Sequence, residues 1–355
     1  MRLAIALIWL LAVSGRAEVI WRDAATLTLE GRGWADVVGP YDRLPRKAQA
    51  TVPASVWGLS KHSAGVAVRF VTDSPEVSVR WSLTGDGLAM PHMPATGVSG
   101  VDLYRREPSG KWRFIGNGRP TQPEGNTARF AVGPGGARDY RLYLPLYNGA
   151  SSVEIGVPDG AEIRPGQASA PEARIVYYGT SIAQGGCASR PGTAHVAIMG
   201  RLLDREMVNL GFSGSGRMEP EVAALIAEIP AAAYVVDCLW NMGGLDKPEI
   251  GGRIKSLVAT IRKRHRDTPI VFVGQSHMDP AAHPTRLTKV QEQAVKDLRE
   301  RGFTGLHLIG GAGLIGSDGE GTVDGCHPTD LGMMRQAYAM APTLRSILRA
   351  VSKGR

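Results

Sequence analysis

The sequence predicts a two-part chain of mixed class: an all-β, jelly-roll-like sandwich over residues 18–170, then a three-layer α/β/α domain over residues 171–355. Three observations carry this. Apolar residues recur with period two in the first half, the signature of half-buried antiparallel strands. A stretch rich in Pro, Gly and Ala at 161–172 reads as a linker. Beyond it, short continuous apolar runs alternate with helical patterns, as parallel strands buried on both faces and crossed by helices require. The length of 355 residues suits two domains. With 43% hydrophobic and 21% charged residues, 45 glycines and 23 prolines, the composition excludes a disordered, collagenous or coiled-coil chain.

Residues 1–17 come first. Arg2 gives a positive start, residues 3–13 an apolar run too short to span a bilayer, and Gly15 and Ala17 the small residues before a cleavage point. The expectation is a signal peptide cut near Ala17 and an exported protein, periplasmic or secreted, with no stable membrane insertion. Cleavage removes Arg2 and Arg16, so the formal charge falls from +8 to +6. The remaining charges are scattered. Their one cluster, at 262–266, ends a predicted helix, where cations complement the dipole. A nucleic-acid partner is therefore not expected.

In the first half, Val66, Val68 and Phe70 alternate with small or charged residues. So do Val77, Val79, Trp81 and Leu83, then Leu142, Leu144 and Leu146, then Val153, Ile155 and Val157. No convincing helix pattern interrupts them. In the second half the spacing predicts strands at 173–178, 207–210, 234–239, 269–274 and 306–309. Helices are expected between and after them, at 194–203, 220–229, 248–265, 285–301 and 330–351.

Sheets of this kind place their chemistry at the carboxyl ends of the strands. The first strand runs into Gly179-Thr180-Ser181, a serine between a buried strand and a helix, which read alone is as much a helix cap as a nucleophile. The second ends in Gly211-Phe212-Ser213-Gly214-Ser215-Gly216, where bare backbone N–H groups can face a ligand. No Gly-Lys-Ser/Thr follows, so this is not a phosphate loop. The third ends in Leu239-Trp240-Asn241-Met242. Before the last helix comes Asp324-Gly325-Cys326-His327, with an imidazole that can activate a hydroxyl and a carboxylate that can orient it. Asp330 reads as the cap of that helix.

Gly179-Thr180-Ser181, Gly214, Asn241 and Asp324-x-x-His327, in this order, resemble the four blocks of the SGNH (GDSL-type) hydrolases, over residues 173 to the C-terminus. Gly100-Val101-Asp102-Leu103-Tyr104 resembles the GxDLY motif of the β domain that precedes one branch of that family, and residues 185–192 are similar to that branch as well. Thr180 stands where most members have Asp, and Leu-Trp-Asn-Met replaces the common Gly-x-Asn-Asp. Both departures alter the pocket wall while leaving the catalytic groups in place.

The resemblance implies a flavodoxin-like hydrolase domain in which Ser181 is the nucleophile, His327 the base and Asp324 its orienting partner. It implies an oxyanion hole from the N–H groups of Ser181 and Gly214 and the Asn241 amide, with no metal or organic cofactor. Arg190, Trp240 and His277 are candidates for substrate binding, the last alternatively a plain loop residue like His283. The three cysteines cannot form a disulfide framework. The resemblance brings the Cys187 and Cys326 loops to one end of the sheet, where a disulfide would tie them, and Cys238 is expected to be buried and inert. No long apolar lid helix is inserted between the blocks. The expected substrate is a small acyl ester, acetyl foremost, on carbohydrate. A broad short-chain acylhydrolase or lysophospholipase, and a glycan-binding protein with little catalysis, remain alternatives.

Overall fold

In the computed structural model, which describes residues 18–353, the first half carries strands β1 (Val19–Asp23), β2 (Thr28–Glu30), β3 (Ala67–Thr72), β4 (Glu76–Leu83) and β5 (Val101–Arg106). They are followed by β6 (Trp112–Gly118), β7 (Asn126–Ala131), β8 (Arg138–Tyr143), β9 (Ala150–Pro158) and β10 (Ile163–Pro165). The signal peptide expected at 1–17 lies outside the described residues.

Two antiparallel sheets result, ordered β1-β9-β4-β7 and β10-β3-β8-β5-β6, with β2 also on β3. Their facing side chains, among them Phe70, Val79, Trp81, Leu103, Leu142 and Ile155, form one core. Period two is plain on β4, where Val77, Val79, Trp81 and Leu83 are buried and Glu76, Arg80 and Ser82 are half-exposed.

Three features depart from the expectation. Two short helices, α1 (Ala54–Leu59) and α2 (Ala95–Val98), sit in loops of this half. Each opens after a proline, Pro53 or Pro94, and is too short to show a period. The expected linker contains β10, an edge strand that tolerates Pro165 because an edge leaves N–H positions unpaired. And Leu44, Ala48, Val52 and Val56 belong to the apolar core of the second half, packed with Val176 and Val208.

The second half is a five-stranded parallel sheet of β11 (Ile175–Gly179), β12 (Met207–Gly211), β13 (Ala233–Asp237), β14 (Ile270–Val273) and β15 (Leu306–Ile309), ordered β12-β11-β13-β14-β15. Helices α3 (Ser181–Gln184), α4 (His195–Leu203), α5 (Pro220–Ile226), α6 (Lys247–Arg262), α7 (Arg286–Glu300) and α8 (Asp330–Lys353) connect and close it. Residues of α4 and α8 pack on the face bearing Ile175 and Tyr177. Residues of α5, α6 and α7 pack on the face bearing Val176 and Tyr178. These are the expected three layers. The chain steps to opposite sides of β11 to place β12 and β13, so the strand order switches there, where such sheets open a crevice. No helix of the described residues is long and apolar enough to cross a membrane.

The GxDLY motif is one of the joints between the halves. Asp102, fully buried on β5, accepts hydrogen bonds from Arg190 Nη1 (2.8 Å) and the Gly192 N–H (2.7 Å) of the second half, and from Asn117 Nδ2 (2.8 Å) of its own. Tyr104 accepts from the same guanidinium at 2.8 Å.

Candidate active site

Strand β11 ends at Gly179, and Thr180 caps α3 by accepting from the Ile182 N–H (3.3 Å), so Ser181 is the first residue of that helix. Its Oγ lies 2.8 Å from His327 Nε2, across 146 residues of chain. His327 Nδ1 lies 2.7 Å from Asp324 Oδ2. The other carboxylate oxygen accepts the backbone N–H groups of Cys326 (2.9 Å) and His327 (2.7 Å), a small nest that fixes the loop. Burial alone would raise the Asp324 carboxyl. The N–H donors and the His327 ring outweigh it and hold the group down at about 2, ionised throughout the neutral range. With Nδ1–H donated to that carboxylate, Nε2 is left as the acceptor facing the hydroxyl.

The donors expected for an oxyanion gather beside Ser181. The Phe212 N–H donates to Gly179 O (3.0 Å), which pins the loop after β12 against the end of β11. Gly214 then takes a left-handed φ of +65°, and nothing lies within 4 Å of where a Cβ would be. Among the described residues neither the Ser181 nor the Gly214 N–H has a hydrogen-bond partner. Asn241 is held by its amide: Nδ2 donates to Ser215 O and lies 3.4 Å from Phe212 O. Gly186 leaves room for the base, since a Cβ there would sit 2.9 Å from Tyr147 Oη and 3.2 Å from His327 Cδ2.

Other expected residues fall in two groups. Trp240 and His277 do lie together, rings stacked at 6.4 Å and 15°, with Trp240 Nε1 donating to Ser276 Oγ (3.1 Å) beside Asn241. Arg190 is a correction. Its guanidinium is spent on Asp102 and Tyr104 and stacks over Phe114 at 3.9 Å, so it joins the halves and is not offered to a substrate. Asp330 is another: Thr329 Oγ1 caps α8 through the Gly332 N–H (3.2 Å), while Asp330 reaches across to Ser189.

Cys187, Cys238 and Cys326 are all free thiols, so the Cys187–Cys326 bond is not formed. Burial and neighbouring negative groups, Asp324 among them, push Cys187 up to about 11 and Cys326 to about 12, and protonated thiols do not attack one another.

The first half also reaches this site, which the sequence reading missed. Tyr147 Oη donates to Ser181 O (3.2 Å), and the ring of His92 lies 6.4 Å from that of His327. Gln184 bonds His62 Nδ1 (3.0 Å) and accepts the Ser213 N–H (3.0 Å) next to Gly214. Arg43, 1% exposed, donates to Gly211 O (2.6 Å), Leu59 O (2.7 Å) and His62 O (2.8 Å). The only local signal is a position in loops between strands, where sites often lie.

The profile of the GDSL-like lipase/acylhydrolase family matches residues 172–345, and that of the GxDLY N-terminus of SGNH-hydrolase-type esterases matches residues 19–163. No curated protein matches the chain. Among solved structures it resembles a protein from Bacteroides ovatus described as a GDSL-like lipase, at 34% identity and a TM-score of 0.83 over 94% of this chain and 98% of that one. A salicylyl-acyltransferase from a tetracycline biosynthetic pathway shares the fold at 22% identity and a TM-score of 0.74, over 93% and 97% of the two chains. So does an acetyl xylan esterase from Butyrivibrio proteoclasticus, at 12% and 0.61, over 93% and 99%. The chain belongs to the GDSL-like lipase/acylhydrolase family, as an esterase or acylhydrolase of the SGNH type with a GxDLY-type N-terminal region.

Proposed function

We propose that this protein is an exported serine esterase that removes short acyl groups, acetyl foremost, from carbohydrate. The observation that carries the reading is the relay Ser181 Oγ–His327 Nε2 (2.8 Å) and His327 Nδ1–Asp324 (2.7 Å). Ser181 attacks the ester carbonyl as His327 takes its proton. The oxyanion is met by the unpartnered N–H groups of Ser181 and Gly214. Asn241 adds a donor: Ser215 O occupies one amide proton, and the long contact to Phe212 O leaves the other to be drawn to a stronger acceptor. Each such donor is worth about 10²–10³ in turnover. His327 then protonates the leaving alcohol. Water, deprotonated by the same nitrogen, cleaves the acyl-serine and releases the acid.

The carbohydrate assignment is supported by the stacked Trp240–His277 pair beside Asn241, a platform for a sugar face, and by the acetyl xylan esterase among fold relatives. Export is supported by the pattern of residues 1–17. The test is hydrolysis of p-nitrophenyl acetate, butyrate and octanoate, and acetate release from acetylated xylan, by wild type and Ser181→Ala. Wild type should prefer acetate and deacetylate the polymer, and the variant should lose at least 10³-fold in kcat with a native melting profile. Preference for octanoate would turn the assignment to a broader acylhydrolase. A variant as active as wild type would remove Ser181 from the mechanism.

A further inference from the structure

A second cavity, of about 830 Å³, lies between α6 and α7, apart from Ser181. Four cations line it: Lys247 and Lys255 on α6, Arg286 and Lys289 on α7. Only Lys255 is neutralised there, by Asp297 at 2.9 Å. Among the described residues the Lys247 and Lys289 side chains make no hydrogen bond or ion pair.

Helix rules do not account for this surface. Lys247 and Arg286 open their helices, where a cation opposes the dipole; Asp246 and Glu249 offset this in α6, but α7 has no acid in its first turn. Gly251 and Gly252 stand together inside α6, a loss of about 1 kcal/mol each against alanine. No neighbour demands them, for at both positions a Cβ would meet nothing within 4 Å. What the glycines do is keep the cavity floor at backbone level, alongside the apolar Val290 and Ala294. Local rules broken without a packing reason, all toward one cavity, mark a binding surface.

The cavity is tied to the catalytic rim. Arg286 Nη2 donates to Gly243 O (2.9 Å), two residues past Asn241. Ala282 and Pro284 of the lining share a loop with His277, which stacks on Trp240.

We propose that this groove binds an acidic saccharide, a stretch of carboxylate-bearing sugars next to the ester-bearing one. The choice of a sugar rests on the carbohydrate reading above. The unneutralised cations stand on both walls, Lys247 on α6 and Arg286 and Lys289 on α7, so one saccharide chain lying in the groove can present successive carboxylates to each side. A glycine and proline floor accepts the apolar face of a sugar ring.

The test is calorimetric titration of the whole protein with tri-galacturonate, cellotriose and decanoate, repeated on Lys247→Gln/Lys289→Gln and on Gly251→Leu. Tri-galacturonate should bind wild type, weaken at least tenfold in both variants and weaken with added salt, while hydrolysis of p-nitrophenyl acetate stays within twofold. The inference is overturned if tri-galacturonate does not bind, binds the variants equally, or is matched by cellotriose. Decanoate binding in its place would identify an amphiphile groove and overturn it too. Loss of the esterase reading would show in Ser181→Ala hydrolysis, which is independent of these titrations.

Discussion

The joint formed by Asp102 admits a sharp test, Asp102→Asn. The side chain has no exposure and accepts three hydrogen bonds, two of them from the Arg190–Gly192 segment. Burial pushes this carboxyl up, although Arg190, Asn117 and Gly192 all pull it down, so keeping it charged has a desolvation cost that asparagine avoids. Against that gain, the amide must turn its NH2 toward some donor. The least unfavourable arrangement keeps the oxygen on Arg190 and Gly192 and turns NH2 toward Asn117, whose Oδ1 is buried without a partner and can accept after a flip. That flip gives up the bond from Asn117 Nδ2 to Val101 O (3.2 Å). What remains is an Arg190 guanidinium without its counter-ion. Breaking a buried pair from one side costs about 3–5 kcal/mol. Arg190 is 25% exposed and also stacks on Phe114, so a cost just under that range, about 2–3 kcal/mol, is expected. Urea unfolding of wild type, Asp102→Asn, Arg190→Met and the double variant measures it, with a coupling energy of at least 1 kcal/mol. A measured single-variant loss below about 0.5 kcal/mol, or zero coupling, would refute the claim that this ion pair joins the halves.

Two further outcomes follow from the titrating groups. Asp324→Asn should leave the fold intact, since the group is half-exposed, yet lower kcat by about 10³–10⁴-fold by spoiling the His327 tautomer, read with p-nitrophenyl acetate. Asp237→Asn should stabilise the protein in a pH-dependent way. Burial raises this carboxyl to about 6, with the Tyr177 hydroxyl pulling it down (2.8 Å), so the fold favours its protonated form. That contribution is full below the unfolded value near 4, declines as pH rises to 6, and leaves a constant penalty above. The amide removes the penalty, and a flip of Gln336, whose Nε2 lies 3.4 Å from Asp237 Oδ2, turns its unpartnered Oε1 toward the new NH2. Unfolding free energies from urea titration should rise by about 1–3 kcal/mol at pH 8 and coincide with wild type at pH 3.5.

What the sequence displays and what it conceals divide along physical lines. The inner strands β11, β13 and β14 are legible because burial on both faces demands a nearly continuous apolar run, as in Ile175–Gly179. The blocks around Ser181, Gly214, Asn241 and His327 were legible because each sits at an element end, where a glycine or polar residue is conspicuous. Arg190 was misplaced for the opposite reason. An arginine in a loop advertises a charge but not its partner, and Asp102 lies 88 residues away. The same distance effect hid Asp330, which has the residue type and position of a cap but finds Ser189 instead. Strand β10 was hidden by its proline, and α1 by having fewer than two turns.

The β half therefore acts on the site through the groups that hold it. Arg43 anchors the carbonyls that end β12, Gln184 couples His62 to the Ser213 N–H, and Tyr147 grips the carbonyl of Ser181. All three converge on the loops that present the nucleophile and Gly214. An oxyanion hole works by having its donors already in place, so that no reorganisation is needed as charge develops. Here the loop after β12 has an exposed glycine in a left-handed conformation, a geometry with little intrinsic stiffness. Bonds from Gln184 and Arg43 supply the rigidity that the loop's own sequence lacks. In this chain the β half is thus part of the means by which the hydrolase half keeps its donors aimed.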